Sequence, residues 1–482
     1  MRQADVLIYD VGTSSLKLVL YAGDGTVLEQ KSISYSYETP KAGWAQIDPG
    51  EWKNALWKGL EEMGKAGLLS GLRAISGTGQ MHTAVLLDEA GETISPSILW
   101  LDRRAEQETV ELTEMFHLPP YMLNTTYTLP KLYWMKKHTP ELVERAKHIL
   151  WPKDYIRYVL TGAITTEPTE GIGAALLDWE KGCWAPERME RIGLDPTILP
   201  PIKASEEAVG TVLPEVAQRY GIPADTKVYS GFGDIVALLG GAPHKKGRLV
   251  YSLGSSSMYF TAVDQPKKTT PDDSLYTLEL GGYHLFGGVT STAGAAAMWY
   301  FENMWEGDDF PQMVDQAWTA PAGCDGLVFI PYLSGERSPY WSDKIAGGFY
   351  GVRLNHGKKD FARAVLEGVA YSIRHVLDIC RENGVEITEI AMAAGGVRTA
   401  GWPETIADIC GVPVSIFAGQ DTVTKVVYAM CRSQLDGEDF DQVLLASFDE
   451  PRRIAPSADN SEAYDASYQR YRLFSKFASQ CD

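Results

Sequence analysis

The chain has 482 residues, with 44 lysines and arginines against 63 aspartates and glutamates, a formal charge of −19. At 45% hydrophobic and 22% charged it is too apolar for general disorder, and its length fits roughly two to four domains, or two large ones. The acidic balance excludes binding to nucleic acid through a basic face and a polybasic membrane-surface protein, so any anionic ligand must be held locally, against the overall field.

Val6–Tyr9 and Leu16–Tyr21 read as strands joined by a Gly/Ser/Thr turn, and Asp24-Gly25 signals a hairpin to a further strand. Glu51–Met63 reads as a helix with Trp52, Leu56, Leu60 and Met63 on one face, entered near Asp48-Pro49. Ala74-Ile75-Ser76 is strand-like, and Thr128–Gly162 is helical with a break at Trp151-Pro152. Alternating strand and helix patterns define an α/β class. The Pro/Gly-rich run Gly240–Gly247 marks the boundary between two halves, 1–243 and 244–482. Cys183, Cys324, Cys380, Cys410, Cys431 and Cys481 form no C-x-x-C pair and have no histidines at metal-ligand spacing, so they read as free thiols in a reducing compartment. With no signal-peptide pattern at the start and no apolar run near ~18 residues, the expectation is a soluble cytoplasmic protein.

The halves echo each other at one place. Residues 9–15 read YDVGTSS and 251–257 read YSLGSSS, with Tyr9/Tyr251, Gly12/Gly254, Ser14/Ser256 and Ser15/Ser257 matching at constant offset. The match is either chance in a glycine-rich chain or an internal duplication. If a duplication, each half carries a strand–turn–strand loop of small hydroxyl residues whose backbone N–H groups suit a polyphosphate.

Three constellations carry candidate chemistry. In Asp10-Val-Gly12-Thr13-Ser14-Ser15-Leu-Lys17, glycine permits close approach to an anion, hydroxyls and Lys17 compensate charge, and Asp10 could hold Mg²⁺ through water. Taken alone, the same residues favour an ordinary surface hairpin with a turn glycine and a solvated Lys17. In Gly231-Phe-Gly233-Asp234-Ile, Asp234 fits a general base taking a proton from an attacking hydroxyl, but the local residues favour a structural helix cap. Gly79-Gln80-Met81-His82 follows a strand, where open α/β sheets bind ligands, although a lone histidine there is often structural. Two look-alikes fail: Gly59–Ala66 resembles a P-loop but lacks the final Ser/Thr and starts inside a helix, and there is no G-x-G-x-x-G or G-x-S-x-G.

In this order, the pieces resemble the FGGY carbohydrate kinases, and within them the xylulokinase group, from about Val6 to Met430. Gly79–His82 with Val85–Asp88 and Ser97–Trp100, then Trp151–Tyr155 with Leu160–Gly162, Pro331–Pro339, Ala364–Tyr371, and Ala394-Gly395-Gly396-Val-Arg398-Thr399 with Trp402 and Ala407-Asp408 are all similar to that group. The resemblance implies two ribonuclease-H-like domains of the actin/hexokinase type facing across a cleft, and an ATP- and Mg²⁺-dependent phosphotransferase acting on a ketose or polyol such as D-xylulose or a related deoxy pentulose. It implies a sugar site at Gln80, Met81, His82, Asp102 and Asp234, with Asp234 as catalytic base, reversing the local preference for a cap, and Asp10 as a catalytic, metal-positioning residue. It implies that ATP meets Gly12, Thr13, Ser14 and Lys17 in one half and Gly254, Ser255, Ser256, Gly395, Gly396 and Arg398 in the other. Members of the family are often homodimers; nothing in the sequence locates an interface.

The chain departs from the xylulokinase pattern at several positions. Leu101 stands where Asn is expected, Arg103 and Phe232 where Gly is expected, and Ile235 where Asn is expected. Two sugar-facing amides become aliphatic, which points to a substrate other than D-xylulose. On the nucleotide side, Ser257 replaces a glycine, and Thr422-Val-Thr424-Lys425-Val426 replaces an Ala-Leu-Gly-Ala-Ala run; these bulkier residues keep open a non-catalytic sugar-binding or regulatory relative with a degenerate nucleotide site.

Overall fold

The first strand, β1 (Ala4–Val11), is buried along its length apart from Asp10, as the apolar run Val6–Tyr9 requires of a strand covered on both faces. It pairs antiparallel with β2 (Ser15–Ala22), placing Asp10 opposite Lys17. The turn at Gly25 (φ 81°) leads to β3 (Val27–Ser34), which pairs with β2. On its other side β1 runs parallel to β4 (Ala74–Gly79). With β5 (Ala208–Thr211) and β6 (Lys227–Tyr229) the first sheet has the order β5-β6-β4-β1-β2-β3, β6 being parallel to β4. The coordinates are a computed structural model that describes residues 3–118, 122–178, 181–235, 245–267, 275–280, 283–342, 344–393, 395–417 and 421–480.

The predicted helix spans Pro49–Lys65, is capped by Asp48 through the Gly50 N–H, and buries Trp52, Leu56, Leu60 and Met63. The P-loop look-alike lies inside this helix with Gly59 buried, so no phosphate cradle forms there. The segment 128–162 differs from the single broken helix expected. It holds helices Thr128–His138, Pro140–Arg145 and Pro152–Thr161, and between the last two the apolar His148–Leu150 pairs as a strand with Val85–Leu87. Proline starts two of these helices because the first turn does not need its missing N–H.

The chain divides into two compact units, Met1–Gly240 with Asp421–Ser447, and Gly241–Gln420 with Phe448–Asp482. The expected boundary between 243 and 244 lies outside the described residues. Residues 421–447, grouped with the C-terminal half from sequence, cluster instead with the first unit. The helix Thr422–Asp436 is held there by a Tyr21–Tyr428 ring stack at 4.6 Å, a Tyr21–Thr424 hydroxyl bond at 2.7 Å and an Arg432–Asp5 ion pair at 2.7 Å.

In the second unit, β7 (Arg248–Leu253), β8 (Ser257–Val263), β9 (Tyr276–Leu280), β10 (Tyr283–Thr290), β11 (Glu389–Ala393), β12 (Val414–Ile416) and β13 (Arg452–Ile454) form a sheet of order β9-β10-β8-β7-β11-β12-β13. The long helix Lys358–Glu382 buries Leu366, Val369, Ile373 and Val376 in its core. The two sheets share a design: β3-β2-β1-β4-β6 and β10-β8-β7-β11-β12 follow the same chain order, with the second strand antiparallel to the rest. This is the ribonuclease-H-like arrangement, twice, and it decides the duplication question in favour of a real repeat.

The repeat contains one slip. Val11 pairs with Leu16 across the first loop, whereas Leu253 pairs with Ser257 across the second, one residue tighter. A one-residue change of register reverses which side chains face the core. Accordingly Leu16 and Leu18 are buried and Lys17 is partly exposed in β2, whereas Ser257 and Tyr259 are buried and Met258 is partly exposed in β8.

Candidate active site and nucleotide-binding loops

The candidate residues of the first unit gather at the carboxyl ends of three adjacent parallel strands, β6, β4 and β1, where open α/β sheets place ligands. The Gly12 loop closes with a Gly12 N–H to Ser15 carbonyl bond of 3.0 Å. Its Gly12 carbonyl accepts from the Tyr35 hydroxyl at 2.6 Å and from Gln80 Nε2 at 2.9 Å. The Gln80 N–H reaches the Val11 carbonyl at 2.8 Å, so Gln80 ties the end of β4 to the phosphate-type loop. Its buried Oε1 has no hydrogen-bond partner among the described residues. The Thr13 hydroxyl accepts from Trp100 Nε1 at 3.0 Å.

Lys17 lies between two carboxylates, 2.8 Å from Asp421 and 3.4 Å from Asp10. Asp421, which sequence reasoning did not single out, also caps the helix Thr422–Asp436 through the Thr424 N–H. Burial pushes the Asp10 carboxyl up, with Lys17 opposing and Asp421 adding to the rise. No cluster of three or more His, Cys, Asp or Glu side chains capable of holding a metal occurs among the described residues. The two carboxylates Asp10 and Asp421 match what Mg²⁺ takes in phosphoryl-transfer sites, where it keeps waters and uses one or two carboxylates plus substrate phosphates.

Met81 meets the loop that carries Asp234, and His82 packs beside it on Gly173. A Cβ on Gly233 would fall 2.6 Å from Met81 Sδ, and the Gly233 N–H donates to Thr169 Oγ1 at 2.9 Å. His82 holds a left-handed backbone (φ 68°), its Nδ1 is 2.6 Å from the Gly173 carbonyl, and its own carbonyl accepts from the Thr128 hydroxyl at 3.0 Å. A non-glycine residue kept at positive φ by such contacts is the kind of strain that collects at working sites. Burial lifts the Asp234 carboxyl from 3.8 to about 7, helped by the negative Asp10, while the backbone N–H groups of Ile235 and Asp234 oppose the rise. An acid poised near neutrality is suited to accept a proton from a hydroxyl.

Asp102 lies apart from this group in its contacts. Its fully buried carboxylate accepts from the Ala45 N–H at 2.5 Å and pairs with Arg104 at 2.8 Å. Arg104 in turn lies over Trp44, 4.0 Å from the ring centroid. Leu101 packs against the core of the first unit, so that departure is a packing residue. Ile235 and the nearly buried Phe232 adjoin the Asp234 turn.

In the second unit the Gly254–Ser256 loop follows β7, and Gly395–Arg398 follows β11, the neighbouring parallel strand, with Ser252 opposite Ala393. A Cβ on Gly396 would fall 2.3 Å from Leu253 Cγ, so close packing demands glycine there. The Gly254 and Ser255 carbonyls accept from the Gly294, Ala293 and Ala295 N–H groups that open the helix Gly294–Met304, fixing the loop from below. The replacements on the nucleotide side turn inward. Ser257 bonds Thr290 Oγ1 at 2.8 Å, and Thr424 bonds the Tyr21 hydroxyl. Neither is a side chain projecting into an open loop.

Two ribonuclease-H-like units, one with a carboxyl of raised basicity at its strand ends and the other with glycine loops at its own, give the fold of the actin–hexokinase class of phosphotransferases. The chain belongs to the FGGY family of carbohydrate kinases: the family's N-terminal domain model matches residues 6–240 and its C-terminal domain model residues 249–424. It is 35% identical over 422 residues to a xylulose kinase of Lactococcus lactis subsp. lactis, covering 84% of this chain and 82% of that one. It is 31% identical over 422 residues to a xylulose kinase of Bacillus subtilis, covering 84% and 83%. The crystal structure of a kinase from Brucella ovis, described as a xyloylose kinase, superposes with a TM-score of 0.90 over 99% of both chains at 29% identity. The protein is therefore an enzyme, an ATP-dependent sugar kinase, and the non-catalytic alternative finds no support. No helix among the described residues is long and apolar enough to cross a membrane, and Cys183, Cys324, Cys380, Cys410 and Cys431 are free thiols.

Proposed function

We propose that the acceptor is a ketose of the pentulose type, D-xylulose or a related deoxy pentulose, phosphorylated on a terminal hydroxyl. The single observation that carries the shift away from D-xylulose itself is Ile235, an aliphatic side chain directly after Asp234 where the group resembled in sequence has an amide. A site without that amide leaves no buried donor unpaired when the matching hydroxyl is missing, so it tolerates a deoxy sugar.

Asp234 takes the proton from the hydroxyl as its oxygen attacks the γ-phosphorus in line, and the β–γ bridging bond breaks to release ADP. Little covalent work falls to the protein, so positioning and charge neutralisation dominate. Gln80, Met81 and His82 orient the sugar. The N–H groups of the Gly12 loop, with Thr13, Ser14 and Lys17, stabilise charge on the transferred group. Gly254, Ser255, Ser256, Gly395, Gly396 and Arg398 bind the nucleotide. Asp10 is the residue that would hold Mg²⁺, with Asp421 nearby, and the ion supplies positive charge to the phosphates. A cytoplasmic location follows from a substrate pair found inside cells and from free thiols.

ADP release is measured with pentuloses, their deoxy derivatives, polyols and aldonates at equal concentration. A pentulose or deoxy pentulose is expected to give the highest kcat/KM. Preference for an aldonate or a polyol overturns the assignment, and strong preference for D-xylulose over every deoxy analogue overturns the role given to Ile235.

A further inference from the structure

Behind the Asp234 turn lies a sealed ionic cluster that the reading above does not use. Lys153, Asp154 and Arg157 come from the helix Pro152–Thr161, and Glu167 and Glu170 from the start of the helix Pro168–Gly173. All five are fully buried. Asp154 is saturated by Lys153 at 2.6 Å, Arg157 at 3.0 Å and the Thr166 hydroxyl at 2.6 Å. Glu167 receives the Thr169 N–H at 2.9 Å, the Ser205 hydroxyl at 3.0 Å, Lys153 at 3.2 Å and the Thr169 hydroxyl. Glu170 is different. Neither of its oxygens has a hydrogen-bond partner among the described residues, and the ammonium of Lys153 stands 3.8 Å away.

An ionised carboxylate in such a place has lost its water and gained no donor, and taking up a proton is the cheaper state. Charge counting agrees: two cations, Lys153 and Arg157, balance two ionised carboxylates, Asp154 and Glu167, and a third would leave the sealed cluster negative. The cluster reaches the active site through Thr169. Its hydroxyl donates to Glu167 and accepts from the Gly233 N–H, the residue before Asp234.

We propose that Glu170 is a proton-bearing positioning residue, a neutral carboxylic acid that keeps the cluster beneath the Asp234 turn balanced and adds no further negative charge beside the base. The charged groups that face it are Lys153 and Asp154 from the preceding helix, Glu167 from its own, and Asp234 from the turn; Asp234 also faces Asp10 from β1. Burial pushes the Glu170 carboxyl well up, with Lys153 opposing and the three carboxylates adding to the rise. The inference rests on Asp234 as the base, but its test does not depend on turnover alone.

A carboxyl that keeps its proton in the folded protein and loses it in the unfolded chain costs stability as pH rises through the unfolded value. The isosteric Glu170→Gln carries no such cost. Thermal unfolding of both proteins between pH 5 and pH 8 is expected to show the variant gaining on the wild type as pH rises. In kcat/KM profiles the acid limb assigned to Asp234 keeps its position. A stability gap that stays level or closes with rising pH overturns the proposal, as does an acid limb displaced to lower pH, since either means that Glu170 was charged. Should Glu170→Gln fail to fold, infrared spectra of the wild type with ¹³C-labelled glutamate decide: a carbonyl band of a protonated, buried glutamic acid at pH 7 is required, and its absence overturns the proposal. Failure of Asp234 as base shows separately, as retained turnover in Asp234→Asn.

Discussion

Replacing Asp234 by asparagine is expected to move activity and stability in opposite directions, because burial that tunes the carboxyl for catalysis also penalises its charged form. The carboxyl rises from 3.8 to about 7 in the folded protein. A carboxyl raised in this way contributes its full stability below the unfolded value, where both states are protonated. That contribution is lost as pH climbs from about 4 to about 7, because only the unfolded chain ionises freely. At about 1.4 kcal/mol per pH unit, the interval is worth about 4 kcal/mol, an upper figure that solvent relaxation reduces. Asparagine keeps the size and the backbone bonds without the charge. Urea unfolding is therefore expected to find Asp234→Asn more stable than the wild type at pH 8 by up to about 4 kcal/mol, with the difference closing near pH 4. Turnover, read as ADP release, is expected to fall at least ~100-fold. Equal stability at pH 8, or a gap that widens toward acid, refutes the assignment of the raised carboxyl to this residue. Turnover close to normal refutes its role as base.

In the wild type, kcat/KM is expected to drop about tenfold per pH unit well below pH 7, as the proton on Asp234 must leave before it can accept another; a flat profile down to pH 5 contradicts this. Gly396→Ala places a Cβ 2.3 Å from Leu253 Cγ, and kinetic titration is expected to show a KM for ATP raised on the order of tenfold with the sugar KM unchanged. Ser257→Gly is expected to leave ATP affinity unimproved, because the serine hydroxyl already turns inward to Thr290; tighter ATP binding would show that it obstructs the loop. Thr424→Ala removes the bond to the Tyr21 hydroxyl and is expected to cost about 1 kcal/mol in urea unfolding with no effect on ATP KM.

Many of the candidate residues were legible because the sequence carries short local signals, a strand followed by a glycine with polar or acidic residues beside it. Asp10, Gly12, Gln80 and Asp234 each lie in such a stretch, and the sheet brings them together at the carboxyl ends of β1, β4 and β6. What stayed hidden depended on partners distant in the chain. Asp421 acquires meaning only because its helix, which lies in the chain between two strands of the second sheet, packs on the first. Leu101 looked like a lost amide, yet it packs half-buried against the core, which spacing alone does not reveal. Glu167 was within reach: an acid before Pro168 and three residues ahead of Glu170 reads as a helix cap, which it is. Glu170 was not, since nothing local distinguishes a buried acid with donors from one without.

The register slip between the repeats gives the two loops different side-chain chemistry. In the first unit Asp10 and Lys17 face each other across the hairpin on the partly exposed side, so the loop carries side-chain charge of both signs beside its backbone N–H groups. In the second unit the positions of Asp10 and Lys17 correspond to Ser252 and Tyr259, and the tighter turn drives Tyr259 into the core and Ser257 onto Thr290. Side-chain chemistry is thereby withdrawn, and what the second loop offers is backbone and the small hydroxyls of Ser255 and Ser256. That division answers the difficulty posed by a charge of −19. An acidic protein that binds a polyphosphate cannot rely on its long-range field, which at physiological salt decays within about 8 Å. On the reading proposed above, the second loop would present fixed N–H dipoles to the phosphates, and Lys17 and Asp10 in the first would hold charge for the group in transit.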